Sequence, residues 1–353
     1  MTLPKTILVA PLNWGLGHAT RCIPLIRALL QHDYEVLIGS DGPALLLLRK
    51  EFPQIPFIDF PNYHINYPKK GRYFKLKLLQ SLPQIRRAMS TEKKIVKELV
   101  ANGKIDAIIS DNRLGVRSTH VPSVIITHQL NVLSGNTSFF SSKMHQRVIK
   151  KFDECWVPDV DESINLSGKL GHPATLNFKV KYIGPMSRMG KKDLPFTYDV
   201  LALLSGPEPQ RTLLEVKILE VFSNSEKKVL LVRGVVEEAP RTFTKDNITI
   251  VNFMQSEALE QAINQSKLVV SRSGYTTIMD LAAIEKEAFF IPTPGQYEQK
   301  YLAKQLRDKG IVPSCKQEKF TLGKLEQVKV YRGLKSVKGK ADYAKLFRLF
   351  EGK

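Results

Sequence analysis

Several short stretches of this 353-residue chain carry side chains that can do chemistry. The first is Gly15-Leu16-Gly17-His18-Ala19-Thr20-Arg21, directly after the apolar run Thr6 to Pro11. Glycines let a backbone turn tightly and approach a ligand. A helix that follows aims its N–H groups and positive dipole end into the same crevice. The spacing is not the dinucleotide fingerprint Gly-x-Gly-x-x-Gly, because Thr20 stands where the third glycine would be. His18 falls at the helix start, either as a general base or with only a capping role. The second stretch is Asp111 with Asn112, Arg113 and Arg117, after the run Ile105 to Ser110. Carboxyl ends of parallel strands face the binding crevice, so Asp111 can orient the His18 imidazole, or it can simply open a turn. His128 and Gln129, after Ser123 to Thr127, are placed to line the same crevice.

The third stretch is Ser271-Arg272-Ser273-Gly274-Tyr275-Thr276-Thr277-Ile278-Met279-Asp280. A strand end, a Ser-Gly turn and a helix start suit a phosphate. Asp280, just beyond the first turn, can accept both hydroxyls of a ribose. An ordinary helix start with a solvated Asp280 is the alternative. The fourth stretch, Pro292-Thr293-Pro294-Gly295-Gln296-Tyr297-Glu298-Gln299, offers amide side chains on a proline-stiffened loop, for phosphate oxygens or sugar hydroxyls.

These residues need elements to position them. Tyr34 to Gly39, Ile55 to Phe60, Cys155 to Val157 and Val180 to Ile183 read as further strands, and about Pro43 to Glu51 as a helix. Ile23, Leu25, Ile26, Leu29 and Leu30 fall at helical spacing. Gly184 to Pro195 is rich in turn formers and reads as a linker. The pattern then restarts, with strands at Tyr198 to Leu204, Lys228 to Val232, Ile248 to Val251, Leu268 to Ser271 and Ala288 to Ile291. Helices fit Thr212 to Val221, Ser256 to Asn264, Thr276 to Ile284 and Gln299 to Lys309. Alternation of this kind implies α/β architecture, with parallel sheets covered by helices on both faces. We expect an N-terminal Rossmann-like domain over 1–186 and a C-terminal Rossmann-like domain over 196–335. Residues 336–353 are expected to form a helix that packs either back across the interface or on its own domain.

Composition narrows the class. Apolar content of 43% and charged content of 25% describe a folded protein. Cys22, Cys155 and Cys315 are odd in number and far apart, which disfavours a disulfide framework or a zinc site and suits a reducing compartment. The chain start reads as a first strand and not a signal peptide, so a cytoplasmic location is expected. The formal net charge of +19 draws the protein toward polyanions. Lys69, Lys70, Arg72, Lys75, Lys77, Arg86, Arg87, Lys93, Lys94 and Lys97 concentrate it in one segment. Tyr67, Tyr73, Phe74, Leu76, Leu78 and Leu79 are interleaved. Such a segment can lie on an anionic membrane surface, or it can be a solvated helical face. Nucleic acid is not expected as a partner, because no known nucleic-acid module is present.

The run SRSGYTTIMDLAAIEKEAFFIPTPGQYEQKYLAKQLRDKG, Ser271 to Gly310, resembles the donor-binding region of glycosyltransferase family 28. That resemblance implies a GT-B fold, two Rossmann-like domains with parallel sheets facing across a cleft. It implies inverting, metal-independent transfer from a UDP-sugar to a glycan or lipid-linked acceptor, with no cofactor besides the co-substrate. By the same resemblance Asp280 is the ribose ligand, Ser273 and Gly274 lie at the diphosphate, and Arg272 and Thr276 belong to the donor site. Ser205 and Gly206 form a shortened loop of the second domain. Arg233 and Arg188 face the donor, and Phe253 and Met254 lie at the base. Gln296, Glu298 and Gln299 reach the diphosphate and sugar, with Glu298 and Gln299 in the places of a Gln-Gln pair. Leu302-Ala303 stands where the family often has Asn-Ala. Gly15, Gly17, Arg21, Arg113, His128 and Gln129 are implied on the acceptor side, with His18 and Asp111 as the catalytic pair. His18 then removes the acceptor proton, and the leaving diphosphate is held by the helix start near Ser273 and by Arg188 or Arg272. The only Asp-x-Asp, Asp159-Val160-Asp161, reads as a loop and not a metal motif. The Gly-His-x-x-Arg pattern is also similar to the UDP-sugar hydrolase of pseudaminic acid synthesis, in which water is the acceptor. A basic nucleic-acid- or membrane-binding protein is the alternative of another class.

Overall fold

The structure is a computed structural model that describes residues 4–63, 74–133, 138–162, 165–206, 208–335 and 341–351, with the backbone alone over 74–80. It divides into two compact units, with the boundary between Met186 and Ser187 and the last helix returning to the first unit.

The first unit holds β1 (Thr6–Pro11), β2 (Glu35–Ser40), β3 (Phe57–Asp59), β4 (Ala107–Asp111), β5 (Ser123–Ile126), β6 (Glu154–Val157) and β7 (Lys181–Tyr182). They form one sheet in the order β3-β2-β1-β4-β5-β6-β7, and each adjacent pair is parallel. The central strands are continuous apolar runs because helices cover both faces. Ile7, Leu8, Val9, Ile108, Ile109, Ile125 and Ile126 are buried completely, each stabilising the unit by about 1.5–3 kcal/mol. The helices are α1 (Gly17–Gln31), α2 (Gly42–Glu51), α3 (Phe74–Ala101) and α4 (Ser138–Ile149). α3 lays Ser81, Ala88, Glu92 and Val96 inward at helical spacing and leaves Arg86, Arg87, Lys93, Lys94 and Lys97 exposed. The remaining cations of the basic segment, with Tyr67 and Tyr73, lie outside the described residues or side chains.

The second unit holds β8 (Tyr198–Leu203), β9 (Val229–Val232), β10 (Thr242–Lys245), β11 (Ile248–Val251), β12 (Ser266–Ser271) and β13 (Ala288–Phe290). Their order is β10-β11-β9-β8-β12-β13, parallel except for the β10–β11 pair. The sequence pattern missed β10, because it is an edge strand exposed along its whole length and carries no apolar run. α5 (Gln210–Phe222), α6 (Ser256–Asn264), α7 (Tyr275–Ile284) and α8 (Tyr297–Asp308) cover this sheet.

Two expectations become specific. From Ser187 to Lys192 the expected linker is fastened to α6 and α7 by hydrogen bonds, so composition there signals a docked strap. The terminal helix, α9 (Tyr343–Glu351), packs within the first unit. Phe347 meets Tyr34 and His32 edge-on, and Lys5 Nζ donates to the Phe350 carbonyl at 2.6 Å.

Candidate active site

In each sheet the parallel strands reverse their order once, and in open α/β sheets ligands bind at that point. In the first unit the reversal lies between β1 and β4, where Pro11 pairs with Asp111. The chain leaves β1 through Gly15, whose φ of +79° suits glycine, and enters α1 at Gly17. His18 is thereby carried to the end of β4. Its Nδ1 lies 2.8 Å from Asp111 Oδ1. Arg21, one turn on, grips both Asp111 oxygens through Nε and Nη2. It also reaches His128 Nδ1 at 2.9 Å through Nη1, and His18 Nδ1 at 2.9 Å through Nη2. Cys22 Sγ is 3.7 Å from Asp111 Oδ2.

The electrostatics follow from this packing. Burial pushes the Asp111 carboxyl upward, but the Arg21 and His18 charges outweigh it and hold the group well below the usual carboxylate range. Burial, and then the Asp111 charge, push the Cys22 thiol well up, so it is an inert packing group. A guanidinium only donates, so His128 Nδ1 accepts from Arg21, and a neutral His128 carries its proton on Nε2. His18 Nδ1 faces both Asp111 Oδ1 and the Arg21 guanidinium; in the tautomer with the proton on Nδ1 it donates to the Asp111 carboxylate, makes no hydrogen bond to Arg21, and leaves Nε2 as a base.

In the second unit the reversal lies between β8 and β12. Gly206, φ +96°, turns the chain after β8. After β12, Arg272 and Ser273 lead to Gly274, which caps α7 without a side chain. Ser273 Oγ donates to the Gln299 carbonyl at 2.8 Å, and Gln299 Oε1 accepts from Thr293 N at 2.8 Å. These two bonds tie the Ser-Gly turn, the proline loop and the start of α8 together. Gln296 is the α8 N-cap residue, and Glu298 lies in its first turn. Asp280 is buried, with Oδ1 accepting from Ser187 Oγ at 2.7 Å. Burial raises its pKa, and the Arg188 charge with the Ser187 bond offsets part of that rise.

Residues 206–340 match the glycosyltransferase family 28 C-terminal domain. The UDP-N-acetylglucosamine--N-acetylmuramyl-(pentapeptide) pyrophosphoryl-undecaprenol N-acetylglucosamine transferase of Pasteurella multocida is 24% identical over 92% of this chain and 88% of its own. An uncharacterized glycosyltransferase of Methanosarcina acetivorans is 22% identical over 84% of this chain and 82% of its own. Among solved structures, the glycotransferase of kitacinnamycin has a TM-score of 0.62 at 14% identity, covering 93% of this chain and 90% of its own. MurG of Acinetobacter baumannii has a TM-score of 0.51 at 18% identity, covering 92% and 89%. The chain is a glycosyltransferase of GT-B fold, similar to family 28 in its C-terminal domain.

Several residues expected at the ligands of this glycosyltransferase stand elsewhere. Arg113 does not line the crevice. It is fully buried, paired with Asp41 and with Glu92 at 2.8 Å, and its Nε donates to the Pro11 carbonyl at 3.0 Å. Asp41 in turn accepts from Asn13 Nδ2 at 3.0 Å, so Arg113 buttresses the glycine loop from behind. Arg272 does not face a diphosphate. It is 0% exposed and donates to the carbonyls of Gln210 and Ile291 and to Gln317 Oε1. Burial pulls its pKa down to about 9. The Phe253 ring is buried, with half-buried Met254 beside it. Arg233 pairs with Glu215 at 2.8 Å beside the Ser205-Gly206 turn. Thr276 is buried in the first turn of α7. Gln129 N donates to Thr127 Oγ1 at 3.1 Å at the mouth of β5. Sequence reasoning missed Ser187, whose only signal was its place beside Arg188.

Proposed function

We propose that this glycosyltransferase moves an N-acetylhexosamine-type sugar from a UDP-sugar to a lipid-linked envelope glycan, with inversion and without a metal or other cofactor. The observation that carries the reading is the His18–Asp111–Arg21 cluster at the first reversal. It supplies a base whose proton can be shared with a carboxylate held ionised. His18 Nε2 takes the proton of the acceptor hydroxyl as its oxygen attacks the anomeric carbon, and Asp111 stabilises the imidazolium. At the second reversal, the start of α7 offers main-chain dipoles to the departing diphosphate, and Asp280 accepts from the ribose. The donor and acceptor classes are those in the names of the Pasteurella multocida relative and its kin.

No helix among the described residues is long and apolar enough to cross a membrane. A lipid-linked acceptor then calls for peripheral contact on the inner membrane face. The exposed cations of α3 support it, as does α4, where Phe139 is 81% and Phe140 72% exposed with Lys143 and Arg147 on the same helix.

Transfer assays with UDP-N-acetylglucosamine test the reading, run with a polyprenyl-diphosphate-linked sugar, with a soluble glycan, and with no acceptor. Transfer to the lipid-linked sugar, stimulated by anionic vesicles and unaffected by chelator, is expected. Release of free sugar alone would make the protein a UDP-sugar hydrolase. No turnover in any arm would sink the proposal.

A further inference from the structure

Between the two units the chain does not hang as a tether. Ser187 Oγ donates to Asp280 Oδ1 at 2.7 Å, and Met189 N donates to Ser187 Oγ at 3.0 Å, so the hydroxyl is itself fixed. The Arg188 main-chain N–H also donates to Asp280, while Arg188 Nη1 reaches Ser256 Oγ at 2.9 Å at the start of α6. Farther on, Gly190 N donates to Glu260 Oε1 at 2.6 Å and Lys192 N to Asn264 Oδ1 at 2.9 Å. Met186 and Met189 are buried on either side. The strap thus links α6, which follows Phe253 and Met254, to the acid of α7.

A buried carboxylate accepts two vicinal hydroxyls only while it is ionised and held in one orientation. Burial works against the ionised form of Asp280, and the charge facing it is the Arg188 guanidinium. The Ser187 hydroxyl supplies both remaining needs. We propose that Ser187 is a positioning residue of the donor site, fixing the Asp280 carboxylate as the acceptor of the ribose hydroxyls, and that the strap Ser187–Lys192 is part of the nucleotide site. This rests on the reading of Asp280 as the ribose ligand.

Calorimetric titration of the full chain with UDP across the mildly acidic to neutral range tests it. A hydrogen bond to a charged group supports about a tenfold effect. Ser187→Ala should weaken UDP about tenfold at neutral pH and raise the donor KM with kcat nearly unchanged. Its affinity should also fail at a higher pH on acidification, because a donor that favours the ionised carboxyl is gone. Ser187→Thr should restore binding. In an Asp280→Asn background, Ser187→Ala should add nothing. If Asp280→Asn abolishes binding while Ser187→Ala binds UDP as the parent does at every pH, the role of Ser187 is overturned and that of Asp280 stands. If Asp280→Asn itself binds UDP normally, the underlying reading fails. Weaker binding with an unmoved acid limb and no rescue by threonine would make the strap merely structural and overturn the proposal.

Discussion

The two strand-order reversals are furnished in opposite ways. At the first, between β1 and β4, ionisable side chains gather beyond the strand ends: His18, Asp111 and His128, all joined through Arg21. At the second, between β8 and β12, the turn residues offer main chain, and the Asp280 carboxylate comes from inside α7. Arg21 and Arg272 make the contrast sharp. Both are buried arginines near the reversal of their sheets, Arg21 inside α1 and Arg272 directly after β12. Arg21 meets a carboxylate, while Arg272 meets neutral carbonyls and an amide and turns into the core. A cation balanced by an acid beside a histidine serves proton transfer. A turn whose cation is withdrawn leaves dipoles and glycine to approach an anion. Doubly wound folding thus provides a crevice in each unit, and on the proposed reading the side chains divide chemistry from binding.

The largest effect that would break this division is on turnover. His18→Ala should lower kcat by about 10²–10⁴-fold, the usual contribution of a positioned general base, and leave UDP affinity unchanged. An equal loss of affinity would mean that the two crevices are not separate in role.

Asp111→Asn comes next. It leaves Arg21 buried without its counter-charge, which costs about 3–5 kcal/mol. Trp14 and Trp156 are the only tryptophans and both lie in the first unit, so denaturant unfolding followed by their fluorescence reports it. The sign with pH is fixed by the depressed carboxyl. Its stabilisation is full above the unfolded value of about 3.9 and is lost as pH falls through the lower folded value. Asp111→Asn should therefore flatten the acid limb of stability below about pH 4. An unchanged acid limb would deny that the pair holds the unit together.

The smallest effect sharpens the second crevice. Asp280 has a raised folded pKa, so its ionised form costs stability as pH rises from the unfolded value through the folded one. Asp280→Asn should raise the melting temperature by a few degrees near neutral pH, as read by scanning calorimetry. UDP affinity should fall at least tenfold in the same variant. A lower melting temperature would place Asp280 among structural acids instead.

Much of the architecture was legible because strands buried on both faces read as unbroken apolar runs, as Thr6 to Pro11 and Ala288 to Phe290 do. The helix α4 was not, since Phe139, Phe140 and Met144 are apolar yet exposed and no inward stripe announces the element. Placing Asp111 beside His18 was legible in part: Asp111 ends β4 and His18 starts the helix after β1, and the carboxyl ends of parallel strands share one side of a sheet. The fates of Arg113 and Arg272 were not, because an arginine after a strand looks the same whether its guanidinium turns toward a crevice or into the core. Hydrogen-bonding acceptors decide that, and Asp41, Glu92, Gln210 and Ile291 are brought from distant stretches of the chain.

By itself the sequence determined the doubly wound character of both halves, the turns after β1 and β12, and the likeness to family 28 over Ser271 to Gly310. Those are local properties of hydrophobic period, glycine placement and residue order. Only the tertiary structure decided that Arg21 shares Asp111 with His18, that Arg272 is spent on the core, and that the supposed linker grips Asp280. Each of these depends on which strands become neighbours and which buried polar groups must find partners, and chain separation hides both.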